Sequence, residues 1–238
     1  MTTAILERPR ARKNSGKTIE APLRNGEHLS RCEFERRWDA TPELKRAELI
    51  EGIVFMPPPI SDLHSSSHSL LFRYLDRYAE ATPGVSARVA TSVRLDNRNE
   101  YQPDCLLRIA RPHIGKSWIS TDNYIEGAPE LLAEVAVTSK DYDAHEKRRV
   151  YERIGAQEFL LWQVMDARFD WWTLQDSAYV PLKPRADGVY CSAVFPGLWL
   201  DLRALLAADK RKVEAVLKKG IASQEHREFV KRLAAKQP

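Results

Sequence analysis

Two short apolar runs in this chain each carry a carboxylate in their interior. Gln102-Pro103-Asp104-Cys105-Leu106-Leu107 holds Asp104, and Leu131-Leu132-Ala133-Glu134-Val135-Ala136-Val137 holds Glu134. Runs so short and so apolar predict strands covered on both faces, because a half-solvated strand alternates polar and apolar residues. An ionised carboxylate persists in such a place only when it is paired, hydrogen-bonded or bound to a metal. The fold must therefore bury a sheet and bring compensating groups to two of its acids.

The elements around these runs predict a mixed α/β (α+β) architecture. Glu33 to Ala40 reads as a short helical turn, and Leu49 to Met56 as a hairpin interrupted by Glu51-Gly52, ended by Pro57-Pro58-Pro59. His64 to Glu80 places Leu70, Leu71, Tyr74, Leu75 and Tyr78 at helical spacing, and Pro83-Gly84 closes that helix. Val89, Thr91, Val93 and Leu95 alternate as one face of a strand, and residues 110–128 read as a long connection. Asp141 to Ile154 predicts a helix crossing from the second acid-bearing strand to strands at Glu158–Val164 and Phe169–Leu174. Short strands at Tyr179–Leu182 and Val189–Val194 follow, and Ala204 to Ala234 reads as helical with a break near Gly220.

The net charge of +4 conceals an uneven distribution. Residues 1–31 sum to +4 and residues 207–238 to +5, which leaves −5 between them. We accordingly divide the chain into a disordered basic tail (1–31), a central domain (32–206) and a basic helical extension (207–238). An acidic centre repels a phosphate backbone unless a metal neutralises its acids, while basic ends attract nucleic acid without sequence preference. Solvated ends that only aid solubility are an equal reading of either tail. No apolar run approaches a membrane span, and Met1 to Arg8 lacks a secretory apolar stretch. Cys32, Cys105 and Cys191 lack metal-ligand spacing and read as reduced thiols, so a cytoplasmic location is expected.

Lys147, Tyr151 and Ile154 share one face of the helix from Asp141, so Lys147 faces the sheet and seeks an anion, with Glu134 the natural candidate. The bland alternatives are a structural Glu134–Lys147 salt bridge, an Asp104 that caps a loop, and a solvated Glu48. His64 and His68 stand four residues apart, a metal-ligand spacing, yet no third ligand is evident nearby and a helix-surface reading is preferred. Trp171-Trp172 alternate faces of a strand, which puts one in the core and leaves the other partly exposed.

Glu48-Leu49-Ile50-Glu51-Gly52, Met56-Pro57-Pro58-Pro59, Gln102-Pro103-Asp104, Leu132-Ala133-Glu134-Val135 and Asp143 with Glu146-Lys147-Arg148 occur in that order. Tyr151, Gly155, Glu158-Phe159-Leu160-Leu161-Trp162 and Phe195-Pro196-Gly197-Leu198-Trp199-Leu200-Asp201-Leu202 complete the set. Over residues 40–205 the chain resembles the Uma2 family of restriction endonucleases, in the PD-(D/E)xK nuclease superfamily. The resemblance implies a restriction-endonuclease-like mixed sheet flanked by helices, with extra antiparallel strands. It maps Asp104 and Glu134 as the two acids. The superfamily's lysine would fall at Ala136, so the resemblance implies that Lys147 has taken its place. Val137-Thr138-Ser139 also departs from the family's usual Ser-Pro-Ser-like turn.

Together these readings predict a Mg²⁺-dependent endonuclease acting on DNA, with Mn²⁺ as an alternative ion. Asp104, Glu134 and the carbonyl of Val135 would hold the metal. Glu48 would bind a second ion or its water, and Lys147 would stabilise charge on the phosphate. Cutting both strands of a duplex favours a homodimer. The competing reading is a catalytically silent nuclease-like module that binds nucleic acid or protein.

Overall fold

A computed structural model describes residues 21–137 and 142–235, with side chains of 142–145 excepted. Ser30 caps helix α1 (Arg31–Asp39), which lies before a hairpin of β1 (Glu48–Ile50) and β2 (Ile53–Phe55). Both turn residues, Glu51 and Gly52, have positive φ, the requirement of a tight type I′ hairpin. Helix α2 (Asp62–Glu80) is capped by Ser61. It is followed by β3 (Val85–Val89), β4 (Val93–Asp96), β5 (Asn99–Tyr101), β6 (Cys105–Ile109), β7 (Ser117–Ile119), β8 (Ile125–Gly127) and β9 (Leu131–Ala136). Helix α3 (Tyr142–Arg153) leads to β10 (Glu158–Gln163), β11 (Arg168–Gln175), β12 (Ala178–Pro181), β13 (Val189–Cys191) and β14 (Trp199–Asp201). Helices α4 (Leu202–Leu206), α5 (Lys210–Ile221) and α6 (Gln224–Ala234) close the described chain.

These strands make two six-stranded sheets, ordered β2-β1-β5-β4-β8-β7 and β12-β11-β10-β9-β6-β3, and a small β13-β14 pair. In the second sheet β9 and β10 run parallel, joined through α3, while the other pairs are antiparallel. The expected mixed sheet flanked by helices, with extra antiparallel strands, is what the chain forms. The two acid-bearing runs are β6 and β9, and every residue of both strands is buried. Odd-numbered residues (Cys105, Leu107, Ile109, Leu131, Ala133, Val135) pack into the cluster that contains Leu70, Leu71, Tyr74, Leu75 and Tyr78 of α2. The alternate residues Leu106, Leu132 and Ala136 join Val150 and Tyr151 of α3 on the opposite face.

Several expectations need correction. The alternation from Val89 to Leu95 does not continue as one strand. Ala90 takes a positive φ and donates its N–H to the carbonyl of Asp104, so β3 and β4 fall in different sheets. Residues 110–128 are not all connection but include the β7–β8 hairpin. The expected break near Gly220 is present, since α5 ends at Ile221 and Ser223 caps α6, but Gly220 itself is still helical. It lies within α5, where its bare Cα lets the backbone of Gly197 approach; a Cβ there would sit 2.2 Å from the Gly197 carbonyl oxygen. Both Trp171 and Trp172 are buried, stacked on Tyr190 and Phe159 on opposite faces, so neither is the partly exposed one that was expected.

The ends also differ from their compositions. Of the expected tail 1–31, residues 1–20 lie outside the described chain. Leu23 is buried with Phe34 and Leu49, and Gly26 and Leu29 donate backbone hydrogen bonds to Val54 and Gly52. The basic helices α5 and α6 bury Val213, Leu217, Phe229 and Leu233 in the same cluster as α2, so they belong to the core rather than to an appendage. No helix among the described residues is long and apolar enough to cross a membrane.

Candidate active site

Proline at 103 cannot donate to a ladder, so pairing of β6 begins after it, and Asp104 sits at the strand's mouth. The β6–β9 register pairs Cys105 with Ala133, and continuing it by one residue sets Asp104 across from Glu134. Asp104 Oδ2 accepts the N–H of Val135 at 2.8 Å, which closes this end of the sheet. Glu134 lies on the α3 face, where the Tyr151 hydroxyl donates to its Oε1 at 2.8 Å.

One helical turn before Tyr151, Lys147 brings its amine to the same carboxylate, Nζ to Oε1 3.3 Å. The shared face of Lys147 and Tyr151 therefore meets the sheet as the helical spacing predicts. Lys147 has a second and closer acid, Glu48, at 3.0 Å from Oε2 and 3.2 Å from Oε1. Glu48 is not a solvated turn residue. It opens β1, is fully buried, and accepts the N–H of Gln102 at 2.9 Å. The first sheet thus reaches into the site of the second. Lys147 also lies 5.8 Å from the ring of Tyr101.

On the α2 side, His64 Nε2 stands 3.3 Å from Asp104 Oδ1, and His68 Nε2 stands 2.7 Å from the Asp104 carbonyl oxygen. One ligating atom from each of His64, His68 and Asp104 falls within 4.8 Å of the others. The helix-surface reading of these histidines is superseded, since the third group that the sequence concealed is Asp104. Their four-residue spacing was the available signal; the missing partner lay some 40 residues along the chain. Thr138 and Ser139 lie outside the described residues, as does the Asp143 side chain.

The site's electrostatics follow from burial and these contacts. Burial is the largest influence on Asp104 and pushes its pKa up. His64, the Val135 N–H and the Lys147 charge together outweigh it and hold the carboxyl below its usual range. Tyr151 is pushed well above the ordinary phenol value by burial and then by Glu134 and Glu48, so it remains a protonated donor. Burial, with Asp104 and Glu134 nearby, likewise raises the Cys105 thiol well above its normal value. That thiol stays protonated and is no nucleophile. The arrangement can hold a cation among acids and present one amine beside them.

Comparison with known proteins agrees with this fold. The sequence model of the Uma2 family, described as "Putative restriction endonuclease", matches residues 32–203, more than half of the chain. A crystal structure of "a putative nuclease belonging to DUF820" from Anabaena variabilis ATCC 29413 superposes with a TM-score of 0.50 at 16% identity. The match covers 71% of this chain and 97% of that one, and at this identity it speaks to fold. No curated protein matches the chain.

Proposed function

The chain belongs to the Uma2 family, and from that premise we propose that it is a metal-dependent endonuclease that hydrolyses phosphodiester bonds in DNA. The observation that carries this reading is the burial of three carboxylates, Asp104, Glu134 and Glu48, around the single amine of Lys147. Within that group the acids exceed the amine by two charges, and a divalent cation offsets that excess. Oxygen donors suit Mg²⁺, with Mn²⁺ as the alternative. Asp104, Glu134 and the carbonyl of Val135 are the residues that would hold it. When bound, the ion polarises the phosphate and makes a nucleophile available near neutral pH.

The protein's own groups do the rest. Lys147 supplies fixed positive charge for the negative charge that grows on the phosphate oxygens. Glu48, fully buried and bonded to Gln102, positions Lys147 and would bind a second ion or its water. Tyr151 fixes the rotamer of Glu134 through its 2.8 Å hydrogen bond. The basic residues of α5 and α6 attract the DNA backbone that the acids would otherwise repel. A homodimer would place two such sites on opposite strands of a duplex. A reducing cytoplasm suits the free thiols Cys32, Cys105 and Cys191.

Incubation with plasmid, single-stranded DNA and RNA, each with Mg²⁺ or Mn²⁺, tests the proposal. Metal-dependent DNA cleavage by the wild type, lost in a folded Asp104→Ala variant, is the expected result. Activity retained in that variant removes the assignment. Absence of both cleavage and metal-induced thermal stabilisation transfers the reading to a silent interaction module.

A further inference from the structure

We infer that His64, His68 and Asp104 form a further divalent-metal position, one that takes a transition ion of the Mn²⁺, Co²⁺ or Zn²⁺ class. It is separate from the ion proposed for cleavage, although both draw on Asp104. A four-residue step along α2 places both imidazoles on one edge of the helix, and both converge on the same residue of the sheet. The Asp104 carboxylate divides its oxygens: Oδ2 is held by Val135, and Oδ1 is turned to His64.

The spacing suits a common ligand set. With metal–ligand bonds of about 2.1 Å, two ligands of one ion stand at most about 4.2 Å apart. The observed limit of 4.8 Å therefore requires only a small side-chain closure. His64 is mostly buried yet not sealed, with 16% of its side chain exposed, so an ion can enter and waters can complete its coordination. The donor set decides the class of ion. Two imidazole nitrogens and one carboxylate suit Mn²⁺, Co²⁺ and Zn²⁺, whereas Mg²⁺ prefers oxygen throughout.

The test uses the full chain with any purification tag removed, titrated with Co²⁺ alone and, separately, with Mn²⁺ alone. Visible absorption reads Co²⁺ binding, and pulsed EPR of the Mn²⁺ form reads coupling to ligand ¹⁴N. The wild type should show imidazole nitrogen coupling. His64→Ala and His68→Ala should each weaken Co²⁺ binding by about 100-fold or more, since even outer-shell changes cost about 10–100-fold. Glu134→Gln should keep the nitrogen signature. Wild type without that signature, or a folded His64→Ala/His68→Ala double variant that retains it, overturns the inference. If the double variant fails to fold, the wild-type spectrum alone decides. Imidazole-bound cobalt in a protein that cuts no nucleic acid upholds this site and defeats the nuclease reading. Mg²⁺-dependent cleavage without nitrogen coupling does the reverse.

Discussion

Replacing Lys147 by Met retains the length of the side chain's apolar stem and removes only its charge. The amine stands 3.0 Å from Glu48 Oε2 and 3.3 Å from Glu134 Oε1. At an effective dielectric near 20, each contact is a gross Coulomb attraction of about 5 kcal/mol. Desolvation of the three groups offsets much of that sum. Removing one partner still leaves charge buried without its counter-ion, which costs about 3–5 kcal/mol. For a chain of this size that corresponds to a fall in Tm of about 6–20 °C. The Gln102 N–H and the Tyr151 hydroxyl remain on the two carboxylates but carry no full charge. Urea unfolding followed by tryptophan fluorescence should show a lower midpoint at an unchanged slope. A second change, Glu48→Gln in the Lys147→Met background, should recover more than half of the loss. A loss under about 1 kcal/mol, the scale of an exposed pair, would refute the reasoning. So would strictly additive single-variant effects, because contacting charges must couple.

Other outcomes follow from the same contacts. Tyr151→Phe deletes the 2.8 Å bond to Glu134 and should slow metal-dependent cleavage about tenfold while the protein stays folded, as measured by single-turnover rate and circular dichroism. Glu100 is pushed up to about 8, chiefly by burial and then by the neighbouring Glu35, against the pull of Arg94 and Arg31. Its folded-state pKa exceeds its unfolded one, so the folded protein binds the extra proton and stability should fall as pH rises between the two values, to about 8. Urea midpoints across that range should decline in the wild type and flatten in Glu100→Gln. Gly220→Ala would force a Cβ to 2.2 Å from the Gly197 carbonyl oxygen, and overpacking of this kind should cost about 1–3 kcal/mol in the same unfolding assay.

Much of the second sheet was legible because its strands obey one rule. Runs buried on both faces cannot hide an acid, so Asp104 and Glu134 stood out before any geometry was known. The helical step from Lys147 to Tyr151 was equally plain, since a period of 3.6 assigns faces without tertiary information. Groups that reach the site from elsewhere in the chain were harder to read. Glu48 was named as a site residue, but a solvated acid stayed open beside it because the pairing of β1 with β5, Leu49 with Glu100, is a contact that no local pattern encodes. The histidines looked like surface residues for the same reason. Ala90 adopts a left-handed conformation usually signalled by glycine or asparagine, so the break between β3 and β4 had no mark in the sequence. Gly220 rightly signalled the end of α5, but its second use, to admit another backbone, has no mark in the sequence. The basic C-terminal helices read as solvated from their charge alone, although their apolar stripe seals the core beside α2.

The most direct test of the central claim is single-turnover cleavage of DNA by Glu134→Ala, compared with wild type across a Mg²⁺ and Mn²⁺ titration. Glu134 is the acid that both Lys147 and Tyr151 address. The account predicts metal-dependent cleavage by the wild type and none above background by the variant at any metal concentration, with a cooperative unfolding transition retained. Wild-type rates in a folded Glu134→Ala protein would contradict it.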